Sequence, residues 1–162
     1  MKQDIMKLKR WLILFFLPLW LSSCEKNNGT YIQVKAIENQ VYEAIRDYRE
    51  DNGLSGHFVH QYLMVEEAQK YSYKMAYGMV AVGTQGLDEH WAVLNEKYGF
   101  YNESGLVLST GSGQADGILD ELLAVPGADS VLLGDVTQCG VGIESDTGGI
   151  NYITVLLAKA DS

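Results

Sequence analysis

Cysteine, proline and histidine are scarce in this chain. Its 162 residues include two cysteines (Cys24, Cys139), two prolines (Pro18, Pro126) and three histidines. Two thiols cannot build a disulfide-stapled scaffold, and if Cys24 is acylated, Cys139 has no partner within the chain. Cys139 sits in a Gly- and Val-rich run and reads as a small buried hydrophobe. A reactive thiol needs exposure and a lowered pKa, and no neighbouring residue supplies either. No apolar run approaches the roughly 20 residues that an ordinary membrane-spanning helix needs. Internal repeats, low-complexity segments and interdomain linkers are absent.

Positive charge is scarce as well. Four of the 12 basic residues (Lys2, Lys7, Lys9, Arg10) and one of the 21 acids (Asp4) precede Cys24, so the remainder carries 8 basic and 20 acidic residues, a net charge of −12. Such a surface repels phosphate backbones and anionic headgroups, so nucleic acid is not an expected partner. Solubility is the ordinary use of such acidity.

What is present begins at the amino terminus. Lys2 to Arg10 is a basic segment, and Trp11 to Leu21 is an apolar run of 11 residues broken only by Pro18. A basic start before a short apolar run is the pattern of a secretion signal. Leu21-Ser22-Ser23-Cys24 follows and resembles the bacterial lipobox. That resemblance implies cleavage before Cys24 and acylation of its thiol. Residues 1–23 are then the signal peptide, 24–32 the lipidated cysteine and a polar tether, and 33–162 one domain. Each buried methylene contributes about 0.8 kcal/mol and one chain anchors only marginally, so the several chains of a bacterial lipoprotein would hold firmly. Glu25 is not the aspartate that often retains lipoproteins at the inner membrane, which favours an outer-membrane or cell-surface address.

After cleavage 139 residues remain, enough for one domain that buries about two-thirds of its unfolded surface. Ile37, Val41, Ala44, Ile45 and Tyr48 share a helical face, and Asn52-Gly53 is a stop, which predicts a helix near 33–51. Met64, Ala68, Tyr71 and Met75 predict a second over about 61–77. Trp91 and Leu94 predict a short third over 87–97. Residues 105–109 read as a buried strand. Residues 114–124 read as a helix with Ile118, Leu119 and Leu122 inward, capped near Ser112. Two strands near 137–144 and 150–158 flank an Asp146-Thr147-Gly148-Gly149 turn. Helices followed by a hairpin predict an α/β (α+β) fold with helices packed on an antiparallel sheet.

Several segments together resemble the CAP superfamily (cysteine-rich secretory proteins, antigen 5 and pathogenesis-related proteins; SCP-like) in its bacterial branch. The Arg46–Leu54 segment is similar to the family's first-helix ending, and Ala68-Gln69 with Met75-Ala76 to its second helix. Gly105 to Gly111 is similar to the family's G-E-N-[IV]-A-x-G segment, and Val125-Pro126-Gly127-Ala128 to S-P-G-H. The segment from Gly134 to Ile143 is similar to the strand that begins V-G-V-G. The resemblance implies a three-layer α-β-α sandwich around a central antiparallel sheet.

It also implies losses. The family's cleft gathers two histidines and acidic residues that in several members bind a divalent metal. His90 stands at the first histidine position, but Leu106 replaces the glutamate and Ala128 the second histidine. Asp129 replaces a frequent arginine, and Leu122 a usual tryptophan. One retained histidine cannot supply zinc's four ligands, so no cofactor is expected and the metal site is expected to be lost. Leu106 and Ala128 as degenerate site positions imply a less polar cleft, better suited to an apolar ligand than to a metal.

Other patterns stand beside these. His57 and His60, three apart, form a metal pair or lie in a solvated loop. Gly111-Ser112-Gly113 lacks the Lys-Ser/Thr of a phosphate loop. All ten tyrosines lie after Cys24; Tyr71, Tyr73 and Tyr77 cluster on the second helix, and Tyr98 and Tyr101 flank Gly99. They serve packing, or contact with a glycan or protein. The expected function is a lipid-anchored, non-catalytic module of the cell envelope that binds a ligand or protein. Its partners are the membrane, through Cys24, and an envelope protein, glycan or apolar ligand. The alternative is a hydrolase or metal-dependent enzyme in a rebuilt site around the candidate catalytic residue His90.

Overall fold

The structure is a computed structural model that describes residues 33–54 and 56–160. The expected signal peptide, Cys24 and tether lie outside the described residues.

Helix α1 (Ala36–Asp51) opens on Lys35, whose backbone N–H donates to the Glu38 carboxylate at 2.7 Å. Glu38 is buried and also accepts from the Ile143 N–H (3.0 Å) and the Gln69 amide (2.7 Å). One carboxylate thus ties the helix start to two later elements. The helix stops at Asn52, and Gly53 beyond it takes a φ of 83°, the left-handed turn predicted from Asn52-Gly53. Strand β1 (Val59–His60) follows, then α2 (Tyr62–Ala76), α3 (Leu87–Tyr98), β2 (Phe100–Thr110), α4 (Ala115–Leu123), α5 (Ala128–Leu132), β3 (Gln138–Ser145) and β4 (Asn151–Ala160). The predicted helices and hairpin are all present, with β2 longer than expected. Two elements were not predicted: β1, in the segment read as loop, and α5, a single short helix.

The sheet runs β1-β3-β4-β2, antiparallel except that β1 joins β3 in parallel. Its strands alternate between two cores, as period-two geometry requires. Cys139, Val141 and Ile143 of β3 and Ile153, Val155 and Leu157 of β4 face α1, α4 and α5 with Val41, Ile45, Ile118, Leu122 and Leu132. Leu156 and Ala158 belong to the other core, with Met64, Ala68, Tyr71 and Met75 of α2 and Leu87, Trp91 and Leu94 of α3. The three-layer α-β-α sandwich is therefore present.

The Gly-Val-Gly run of β3 has a packing cause. A Cβ at Gly140 would lie 2.3 Å from the Met64 carbonyl carbon, and one at Gly142 2.2 Å from that of Ala68. Helix α2 rests its backbone directly on the strand. That close seat fixes the height of α2, and with it the side chains on its outer edge.

Candidate functional site

Helix α2 carries a carboxylate where its apolar face meets α3. Glu67 lies three residues after Met64 and four before Tyr71, so it shares their side of the helix. Its side chain is 4% exposed. A buried carboxylate is tolerated only with partners, and Glu67 has two. His90 Nδ1 of α3 lies 2.7 Å away and Lys70 Nζ 2.7 Å away. Burial pushes the Glu67 pKa up, but the hydrogen bonds from His90 and Lys70 outweigh it and hold the group below its ordinary value.

His90 is equally buried, and its ring meets Tyr71 edge-on at 5.3 Å. The carboxylate beside Nδ1 assigns the ring proton to that nitrogen. Nε2 then carries a lone pair, which points to Lys74 Nζ at 3.2 Å. Lys74 also lies 3.6 Å from Glu89, and Lys70 lies 2.8 Å from Glu66. The result is a continuous polar chain from Glu66 through Lys70, Glu67, His90 and Lys74 to Glu89.

This chain forms one side of an open groove of about 690 Å³ between α2 and α3. Tyr73, Met79 and Val93 make its apolar wall, and Gln69 and Glu144 also line it. The volume lies within the range of small-molecule clefts, and the exposed surface of the groove is mostly apolar although most of its lining residues are charged or polar.

Of the family site positions singled out from sequence, only His90 lines this groove, together with Gln69 and Tyr73 of the second helix. Leu106 and Ala128 are buried in the core that faces α1, across the sheet from the α2–α3 core. They are not among the groove's lining, so its apolar wall has another source. Asp129 is exposed and accepts from the Tyr48 hydroxyl, and Leu122 is fully buried. His57 and His60 are not brought together as a ligand pair. His57 is exposed, whereas His60 stacks on Tyr42 at 4.5 Å, and burial pushes its pKa down to about 4. Among the described residues, no group of three or more His, Cys, Asp or Glu is placed to hold a metal ion. Cys139 is fully buried, which raises its thiol pKa. Tyr71 is core, while Tyr73 and Tyr77 are exposed with ring centroids 4.3 Å apart.

Glu67 and Lys74 were missed in the sequence. Glu67 left a signal, a charged residue on an otherwise apolar helical face. Lys74 left none, because exposed lysines are common.

No protein-family model matches the sequence, nor does any curated protein sequence. Solved structures do match the fold. An outer surface protein from Borrelia burgdorferi superposes with a TM-score of 0.67 at 17% identity, over 80% of this chain and 97% of that one. An extracellular protein containing an SCP domain, from Bacillus anthracis, superposes with a TM-score of 0.62 at 16% identity, over 76% of this chain and 40% of that one. The chain has an SCP/CAP-like fold.

Proposed function

We propose that this chain is an exported protein, lipid-anchored through Cys24 at the outer membrane or cell surface. Its domain acts as a non-catalytic binding module that holds an apolar or amphipathic ligand in the α2–α3 groove. The observation that carries this reading is the bonding of His90. Nδ1 is engaged by Glu67 and Nε2 by Lys74. A general base must present a lone pair to its substrate, and this one already faces an ammonium. The charged groups of the lining are paired with one another, and Tyr73, Met79 and Val93 offer a ligand the apolar wall. The address is supported by the amino-terminal pattern and by the fold's likeness to an outer surface protein and an extracellular protein. An envelope protein or glycan is the alternative occupant.

The test is a fluorescence titration with the neutral apolar probe N-phenyl-1-naphthylamine. The domain binds it, and Val93→Asp weakens binding at least tenfold with Tm unchanged. Equal affinity in both proteins counts against the groove.

One observation favours the second reading, a hydrolase around His90. An imidazole oriented by a carboxylate is half of a general-base unit. It would act only if Lys74 left Nε2. Ester turnover, or tight stoichiometric zinc binding, that disappears in His90→Ala would establish that reading.

A further inference from the structure

The eleven residues from Tyr77 to Leu87 carry no charge, in a chain where 20% of residues are charged. They join α2 to α3 and are held outward. Met79 is 64% exposed and Val82 48%. The loop is not slack: Val80 packs inward against the α2–α3 core, and the Tyr71 hydroxyl donates to the carbonyls of Gly83 (2.7 Å) and Gln85 (2.6 Å). A pinned loop thus presents an apolar tip, flanked by the exposed rings of Tyr73 and Tyr77. Exposed apolar side chains gathered in this way, with Tyr73 against Tyr77 and beside Met79 in the groove lining, mark a surface that meets something apolar.

Where the chain enters the domain says what that is. The Gln69 amide donates to the Gln33 carbonyl at 3.2 Å, and Lys35 pairs with Glu144 at 2.7 Å. Gln69 and Glu144 line the groove that Met79 also lines. The domain therefore hands over to its tether beside this groove. Nine residue steps separate Gln33 from Cys24, a reach of at most about 30 Å.

We propose that the 77–82 loop, with Tyr73 beside it, docks into the interface of the bilayer that carries the Cys24 anchor, so that the groove opens toward lipid. This rests on the anchor reading above. Apolar side chains enter the headgroup boundary, and tyrosines suit its polar edge. The nearest lysines, Lys70 and Lys74, are already paired with Glu66, Glu67 and Glu89. The contact is apolar rather than electrostatic, and neutral lipid suffices.

The test couples residues 24–162 through the Cys24 thiol to a maleimide lipid in phosphatidylcholine vesicles; the buried Cys139 does not compete. A reporter is added by Met79→Trp, with Val82→Trp as a second. Trp91, the one tryptophan after Cys24, gives the baseline. Brominated phosphatidylcholine quenches the added emission at least threefold more than that of Glu43→Trp on α1, in the opposite layer. Equal, weak quenching at all three sites overturns the proposal. So does weak quenching with a concentration-dependent dimer in sedimentation, which assigns the patch to a second copy. Chemical coupling bypasses acylation, so failure of the natural anchor would not produce these results.

Discussion

Burial treats two ionisable side chains of this domain in opposite ways. Glu67 is buried with partners, and its hydrogen bonds to His90 and Lys70 keep it charged. Its contribution to stability is present above the unfolded carboxylate value and is lost as pH falls through its lower folded value. His60 is half-buried, with its Nε2 atom buried and without a hydrogen-bond partner among the described residues, and desolvation alone pushes its pKa from 6.5 to about 4. Between those values the unfolded chain takes up a proton at His60 that the folded chain refuses, so stability falls as pH falls. His60→Phe keeps a ring against Tyr42 and removes this component. Urea denaturation at pH 7 and pH 4.5 is then expected to show the parent losing about 1 kcal/mol more than the variant, the full shift being discounted for solvent screening at a half-buried ring. Equal losses would mean that His60 is solvated. The behaviour of His60 was not legible in the sequence. A histidine's burial depends on β1 pairing with β3, and two residues of strand carry no periodic signal. Glu67 was legible in principle, since residues 64, 67, 68, 71 and 75 share one face and only one of them is charged.

The elements themselves were readable where they were long and periodic. α1, α2 and α4 follow their apolar stripes, and the β3–β4 hairpin follows its turn residues. α5 was not, because five residues give no stripe, and β1 was not, because its identity is set by a neighbour distant in sequence. The Gly-Val-Gly run was recognised as a strand, but the reason for its glycines became visible only with α2 in place. Alanine at Gly142 drives a methyl into the α2 backbone, which cannot rotate away as a side chain could. Gly142→Ala should cost about 3 kcal/mol and lower Tm by about 10 °C. Gly113→Ala, in open space, should cost less than about 1 kcal/mol. Calorimetry of the two variants checks this, and a similar Tm in both would contradict the close seat of α2. Because that seat also sets the height of Glu67, Lys70 and Lys74, Gly142→Ala should weaken probe binding as well.

At the scale of the whole molecule, the two helical layers have different jobs. The layer of α1, α4 and α5 covers the sheet and holds Leu106 and Ala128 in its core. The layer of α2 and α3 covers the other face and leaves a groove, a paired polar chain and an exposed apolar loop along its outer side. The three family positions fixed attention on one cleft, but only His90 lies in this groove. Sequence similarity could mark the positions, and packing decided which of them share a space. The anchor belongs to this scale too. Cys24→Ala should abolish acylation and move the protein from the membrane to the soluble fraction, and unchanged fractionation would contradict the lipobox.

The central claim is that the α2–α3 groove holds the ligand. Amide chemical-shift mapping of the domain during titration with N-phenyl-1-naphthylamine tests it most directly. The account predicts shifts concentrated over residues 67–79 and 89–93, with α1, α4 and α5 nearly unmoved. Shifts centred on the α1–α4–α5 layer, or spread evenly over the domain, would contradict it.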